Sequence, residues 1–276
     1  MVRLLKYYAL QVLFWFVFFI LGKTIFLLLN FSIFEKYSST EIFLAFVKGL
    51  QMDMTMVSYI LLLLLLFTLF LYFKRIFKWL NIILHFVMIF LFSIIIIGDA
   101  EVYKSWMSHI DVSVFQFFDS SFSFLASVST ARIMVLFVVL ILWNLLSVFL
   151  FQKILYPNIK EIKPMRWYQP LVLFSASILF VIPARGGIDV ATMNTGTVYF
   201  SKNMPVNHLA INQVWYFIYS MDRNPAEKNP YEFMNSDKAK RIYDSYFNKT
   251  DSSQNILTTN RPNVIIVLME SFESDI

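Results

Sequence analysis

Leu61-Leu62-Leu63-Leu64-Leu65-Leu66-Phe67 sits inside a longer apolar run, Met54–Phe73, that contains no charged residue. As a helix, an apolar run of about 18 residues or more is long enough to cross the hydrocarbon core of a bilayer. Working outward, the same reading applies to Tyr8–Phe31, Trp79–Ile97, Ile133–Phe151 and Trp167–Ile182, giving five predicted spans. With 58% of its residues hydrophobic, and Phe 31 against Gly 6, the chain suits lipid-facing helices better than a water-soluble core. Arg3 and Lys6 before the first run imitate a signal peptide. That run outlasts the ~7–15 residues of a signal core and no small-residue cleavage site follows it, so it reads as an uncleaved span.

The net charge of +5 is a topology signal rather than a nucleic-acid footprint. Arg3 and Lys6 precede span one; Lys74, Arg75 and Lys78 join spans two and three; Lys153, Lys160, Lys163 and Arg166 join spans four and five. The alternate loops hold Glu35, Glu41, Asp99, Glu101, Asp111 and Asp119. Basic residues accumulate on the cytoplasmic side of inserted helices. This predicts a multi-pass protein of a bacterial-type cell membrane, amino terminus in the cytoplasm and Pro183–Ile276 outside. No basic patch interleaved with aromatics points to nucleic acid, and with Cys 0 neither disulfides nor thiolate metal sites are available.

Between spans one and two, Ser39-Thr40-Glu41 reads as a helix start, followed by Ile42, Phe43, Phe46, Val47 and Leu50 at helical spacing. Two readings stand: an amphipathic helix on the membrane surface, or an early beginning of span two. Residues 99–131 mix acids with Tyr103, Trp106, Phe115, Phe117, Phe118, Phe122 and Phe124, as interfacial helices do. After Arg185-Gly186-Gly187, Pro205–Met221 reads as one helix and Asp237–Asn248 as a second with Asp237 as its cap; Lys249–Asn260 reads as a linker.

Charge inside a membrane span defaults to a functional hypothesis. Lys23 is read here as a snorkelling side chain or a structural ion pair, and His85 as a hydrogen-bonded interior residue. Asp53, Asp99, Glu101 and Arg185 are the candidate substrate-binding residues. The chemistry-bearing motif is terminal: Asn260-Arg261-Pro262-Asn263 leads into Val264-Ile265-Ile266-Val267-Leu268-Met269 and stops at Glu270-Ser271-Phe272-Glu273. A buried-type strand ending in a carboxylate is how α/β enzymes present a ligand at the carboxyl edge of a sheet.

Pro262–Phe272 resembles the opening strand of the sulfatase/alkaline-phosphatase superfamily, and more closely the lipoteichoic acid synthase type of membrane phosphoglycerol transferase. Gly49-Leu50-Gln51-Met52-Asp53, Asp99-Ala100-Glu101-Val102-Tyr103 and Asn194–Ser201 continuing to Asn207-His208 are also similar to bacterial members. The resemblance implies a five-helix membrane bundle (1–183), an extracytoplasmic helical linker (184–260) and the first strand of a truncated α/β domain (261–276). It implies that Glu270 is a ligand of a catalytic divalent ion (Mn, Mg or Zn), a hard cation suited to a carboxylate. The nucleophile implied is a threonine beyond Ile276, not Ser271, which has no base beside it. No catalytic residue is therefore expected within 1–276, and this chain alone is expected to be inactive.

The function expected on that basis is transfer of a phosphate-linked head group, phosphoglycerol or phosphoethanolamine, from a phospholipid donor to an extracytoplasmic acceptor. A hydrolase of the same superfamily and a non-enzymatic five-span anchor are the alternatives. A transporter would need broken helices at the midplane, and the spans show few Gly or Pro interruptions.

Overall fold

The computed structural model describes residues 2–67, 73–117, 128–161, 168, 174–175, 177–188, 191–222, 233–247, 265 and 267, which fall in two compact units, Met1–Ala226 and Glu227–Ile276. Every regular element among the described residues is helical. Four stretches are long and apolar enough to cross a membrane: Leu4–Leu29, Ser39–Phe67, Arg75–Trp106 and Thr130–Ile159. The chain is a multi-pass helical membrane bundle.

Helix α1 (Val2–Leu29) is followed by one turn, α2 (Phe31–Phe34). Helix α3 (Ser39–Phe67) starts at a reciprocal cap: Ser38 Oγ accepts from Glu41 N at 3.2 Å while the Glu41 carboxylate accepts from Ser38 N at 3.2 Å. Two orphan N–H groups at the helix start are satisfied that way. The cap decides between the two readings of residues 42–50: they are the first turns of one unbroken helix.

Helix α4 (Lys74–Trp106) runs past Ile97, so Asp99, Glu101 and Tyr103 lie on its last turns rather than in a loop. It ends at Met107, whose left-handed backbone (φ 53) returns its N–H to the Tyr103 carbonyl. A non-glycine residue held there carries about 1–3 kcal/mol of strain. The turn sends the chain back over the helix end, where a 3-10 turn, Val112–Phe117, follows.

Helix α5 (Thr130–Leu150) is capped by Ser129. It continues without a break through a π-helical turn, Phe151–Leu155, into α6 (Tyr156–Glu161). Its outward face (Met134, Phe137, Leu142, Leu145, Phe149) is exposed apolar surface; only Trp143 and Ser147 of α5 are buried. Such a face requires lipid as its solvent.

Of the fifth predicted span, residues 168, 174–175 and 177–182 are described, and they lead into the short helix α7 (Ile178–Arg185). Gly186 (φ 97) ends α7, and a Cβ at that position would press on Met193. Two carbonyls at this end are taken by α3: Thr55 Oγ1 donates to Pro183 O at 2.9 Å and Gln51 Nε2 to Gly186 O at 2.9 Å.

Pro205–Met221 forms two helices instead of one. Helix α8 (Met204–Ala210) stops at the extended Ile211, and α9 (Gln213–Asp222) begins after Asn212, whose Oδ1 accepts from Trp215 N at 2.9 Å. An Asn cap can start a new helix in the middle of an apolar run. In the second unit, α10 (Ser236–Phe247) matches the helix predicted from Asp237, but the cap is Asn235, which accepts from Asp237 N at 3.0 Å. Of the predicted strand, Ile265 and Val267 are described: both are exposed and carry no regular structure.

Candidate functional site at the acidic end of the bundle

The carboxylates of Glu41, Asp53, Asp99 and Glu101 gather at the end of the bundle covered by the α8–α9 elbow. The elbow is shaped by Asn207, which is buried: its Oδ1 accepts from Phe200 N (2.9 Å) and Ser201 N (2.8 Å), and its Nδ2 donates to Ser201 O (2.7 Å). One short side chain thereby closes the turn leading into α8.

The deepest cluster is built on α1 and α3. Lys23 Nζ lies 2.8 Å from Asp53 Oδ2, both side chains 1% exposed, and Asp53 Oδ1 accepts from Asn212 Nδ2 at 2.8 Å. Gly49 sits one turn before Asp53. A Cβ there would run into both Lys23 Nζ and the Ala210 carbonyl, so glycine makes the slot in which ammonium and elbow backbone meet. Breaking such a pair by removing one partner costs about 3–5 kcal/mol, because the other charge stays buried alone.

The second cluster joins α4 to α8. His109 Nδ1 is 2.8 Å from Asp99 Oδ2, and His109 Nε2 is 3.0 Å from the His208 carbonyl. Asp99 Oδ1 accepts from Ile110 N at 2.7 Å. The Tyr103 hydroxyl meets His208 Nδ1 at 3.0 Å. Burial, followed by the charge of His109, pushes His208 down to about 4, so it is neutral at pH 7. Tyr216 is pushed upward by burial and by the nearby Asp111.

Two further pairs edge the site. Arg132 Nε donates to Glu101 Oε2 at 2.8 Å and its guanidinium reaches the Leu29 carbonyl at 3.4 Å, tying α5 to α4 and α1. Glu41 Oε1 accepts from Asn203 Nδ2 at 2.9 Å, fastening the start of α3 to the start of α8.

The sequence candidates thus divide. Asp53, Asp99 and Glu101 lie towards one end of the bundle but are held in three separate pairs, each with its own partner. Arg185 is exposed at the end of α7, where its carbonyl accepts from Met193 N at 2.8 Å. Glu270 lies outside the described residues. Lys23 is an ion pair, one of its two expected states. At the opposite end His85 is a buried, hydrogen-bonded residue, with Nδ1 2.7 Å from the Asn81 carbonyl and Nε2 2.9 Å from Gln11 Oε1. Trp15 stacks on it with ring centroids 5.8 Å apart, and Asn81 also accepts from the Tyr7 hydroxyl.

The sequence reading passed over His109, Asn212 and Arg132, and quoted His208 only within the resemblance at Asn207-His208. For the histidines the signal available in advance is scarcity: histidine occurs three times, and two of the three meet here. A divalent ion has no ready home among the described residues, where no group of three or more His, Cys, Asp or Glu side chains converges. Asp99, His109 and His208 come nearest, but both His109 nitrogens and the Nδ1 of His208 are engaged by protein partners.

Comparison of the chain with family models, with curated proteins and with solved structures finds no match.

Proposed function

We propose that this chain is the membrane portion of a divalent-metal-dependent transferase that moves a phosphate-linked head group, phosphoglycerol or phosphoethanolamine, from a phospholipid to an acceptor outside the cytoplasm. The observation that carries the proposal is the segment Pro262–Phe272, an apolar run ending in Glu270-Ser271, in a chain whose bundle is closed at its acidic end by a docked elbow. The reading puts the amino terminus in the cytoplasm and the acidic end outside. It is supported by Lys78 and Lys153 lying at the other end, where Lys78 sits 5.7 Å over the Tyr156 ring and Lys153 5.8 Å over Phe149. Glu270 is the ligand this reading assigns to the metal, and a bound divalent ion supplies Lewis-acid polarisation of a phosphoryl oxygen. The described residues hold the membrane anchor and elbow in place. A non-enzymatic anchor is the second reading, favoured by Asp53, Asp99 and Glu101 all being satisfied by protein partners.

The test is lipid turnover in membranes from cells expressing the full-length transferase of which this chain is the proposed membrane portion. A fluorescent phospholipid should release diacylglycerol when Mn²⁺ or Mg²⁺ is present, and Glu270→Ala should abolish release. Label in a larger acceptor marks transfer, whereas free head group marks the hydrolase. Turnover that is absent, or untouched by Glu270→Ala, leaves the anchor reading.

A further inference from the structure

We propose that His109 is held as a doubly protonated imidazolium and serves as a proton-dependent latch fastening the α8–α9 elbow to the end of α4.

The proton count follows from the partners. A neutral imidazole offers one N–H and one lone pair. His109 faces an acceptor at each nitrogen, the Asp99 carboxylate at 2.8 Å and the His208 backbone carbonyl at 3.0 Å. Neither partner can be turned into a donor by rotating an amide. The other two histidines differ. His85 faces the Gln11 side-chain amide, which offers a donor or an acceptor according to its rotation. His208 faces the Tyr103 hydroxyl, which can play either part. Only at His109 do both contacts require a proton. With Nδ1 and Nε2 both protonated and Asp99 ionised, the pair is neutral as a unit.

The surroundings favour that count. Asp99 is 0% and His109 5% exposed, and a buried carboxylate requires a compensating cation or donor. The ring is wedged among Phe26, Tyr103, His208 and Tyr216, with centroids 5.4–5.6 Å away, so it cannot swing to a different partner. Among the described residues the titratable groups against it are Asp99 and Tyr103 from α4, His208 from α8 and Tyr216 from α9, with Asp111 and Tyr199 next to Tyr216. His208 and Tyr216 are neutral at pH 7 and do not compete with it for a proton.

Loss of one proton fixes which bond breaks. The remaining N–H stays with Asp99, the stronger acceptor, and the Nε2 lone pair is left against the His208 carbonyl. Two acceptors then face each other across the seam between α4 and α8, and the buried pair acquires a net negative charge. The latch is therefore complete at the acidic side and opens as pH rises.

The test uses the whole chain in lipid nanodiscs with ¹⁵N-labelled histidine. The three histidines give three ring systems, assigned with His85→Phe and His208→Gln. At pH 7 His109 should show two protonated nitrogens and His208 one. Amide exchange across residues 204–222, corrected for its intrinsic pH dependence, should speed up at least about tenfold between pH 6 and 9, as expected for losing one charge-assisted hydrogen bond. His109→Arg, a permanent cation, should remove that dependence. An unprotonated ring nitrogen on His109 at pH 7, or exchange in the unmodified chain that follows the intrinsic rate alone, overturns the latch. Both measurements on the unmodified chain decide the matter even where His109→Arg does not fold.

Discussion

Lys23 was legible as an anomaly, a charge inside an apolar run, but its partner was not. Asp53 stands thirty residues away in the middle of α3, and only the packing of α1 on α3 brings the two within 2.8 Å. The third member, Asn212, is further still and looks in sequence like an ordinary polar residue. Asp53→Leu should destabilise the protein by about 3–5 kcal/mol, and Lys23→Met combined with Asp53→Leu should recover most of that loss. Thermal unfolding in detergent micelles measures both; a double variant no better than the single one contradicts the pairing. Gly49→Ala should cost at least about 1–3 kcal/mol by the same measurement, since its methyl meets backbone on one side and the ammonium on the other.

At the scale of elements, the apolar cores of the spans were legible and their ends were not. Hydropathy marks where a helix crosses lipid, but the Ser38–Glu41 cap and the left-handed Met107 set where α3 begins and α4 stops. The α8–α9 break escaped a periodicity reading because Ile211 and Asn212 fit a continuous helix as well as a turn. Acid sensitivity belongs to this elbow. His208 titrates at about 4 in the folded chain, below the ~6.5 of a free imidazole, because burial and the charge of His109 disfavour its cation. As pH falls the unfolded chain takes up that proton first. Stability owed to neutral His208 is complete above ~6.5 and declines between ~6.5 and about 4. His208→Gln should flatten that limb of the pH–stability curve, and an unchanged acid limb would show that the decline arises elsewhere.

For the molecule as a whole, composition alone established a multi-pass helical bundle, and four of the five predicted spans are seen as such. The candidate site was half legible. Its carboxylates could be picked out as charges near span ends, whereas the asparagines and arginine that pair with them come from distant segments, and His109, ten residues from Asp99, meets it only because the chain turns back at Met107. The exposed face of α5 makes a claim at this scale. The chain has no cysteine, so Leu145→Cys and Trp143→Cys each give a single labelling site. A fluorophore at position 145 should be quenched strongly by brominated lipid and one at 143 weakly, matching exposures of 62% and 5%. Equal quenching would mean that another surface covers α5.

The π-helical turn at Phe151–Leu155 has a consequence for chain length. A five-residue turn lets a helix absorb one surplus residue without rotating the segments on either side. Deleting the exposed Gln152 should heal the bulge to regular geometry and leave both flanks in phase, whereas a single deletion elsewhere in α5 swings everything beyond it by about 100°. This turn is thus the one described position in the helix where the chain can lose a link and keep its alignment.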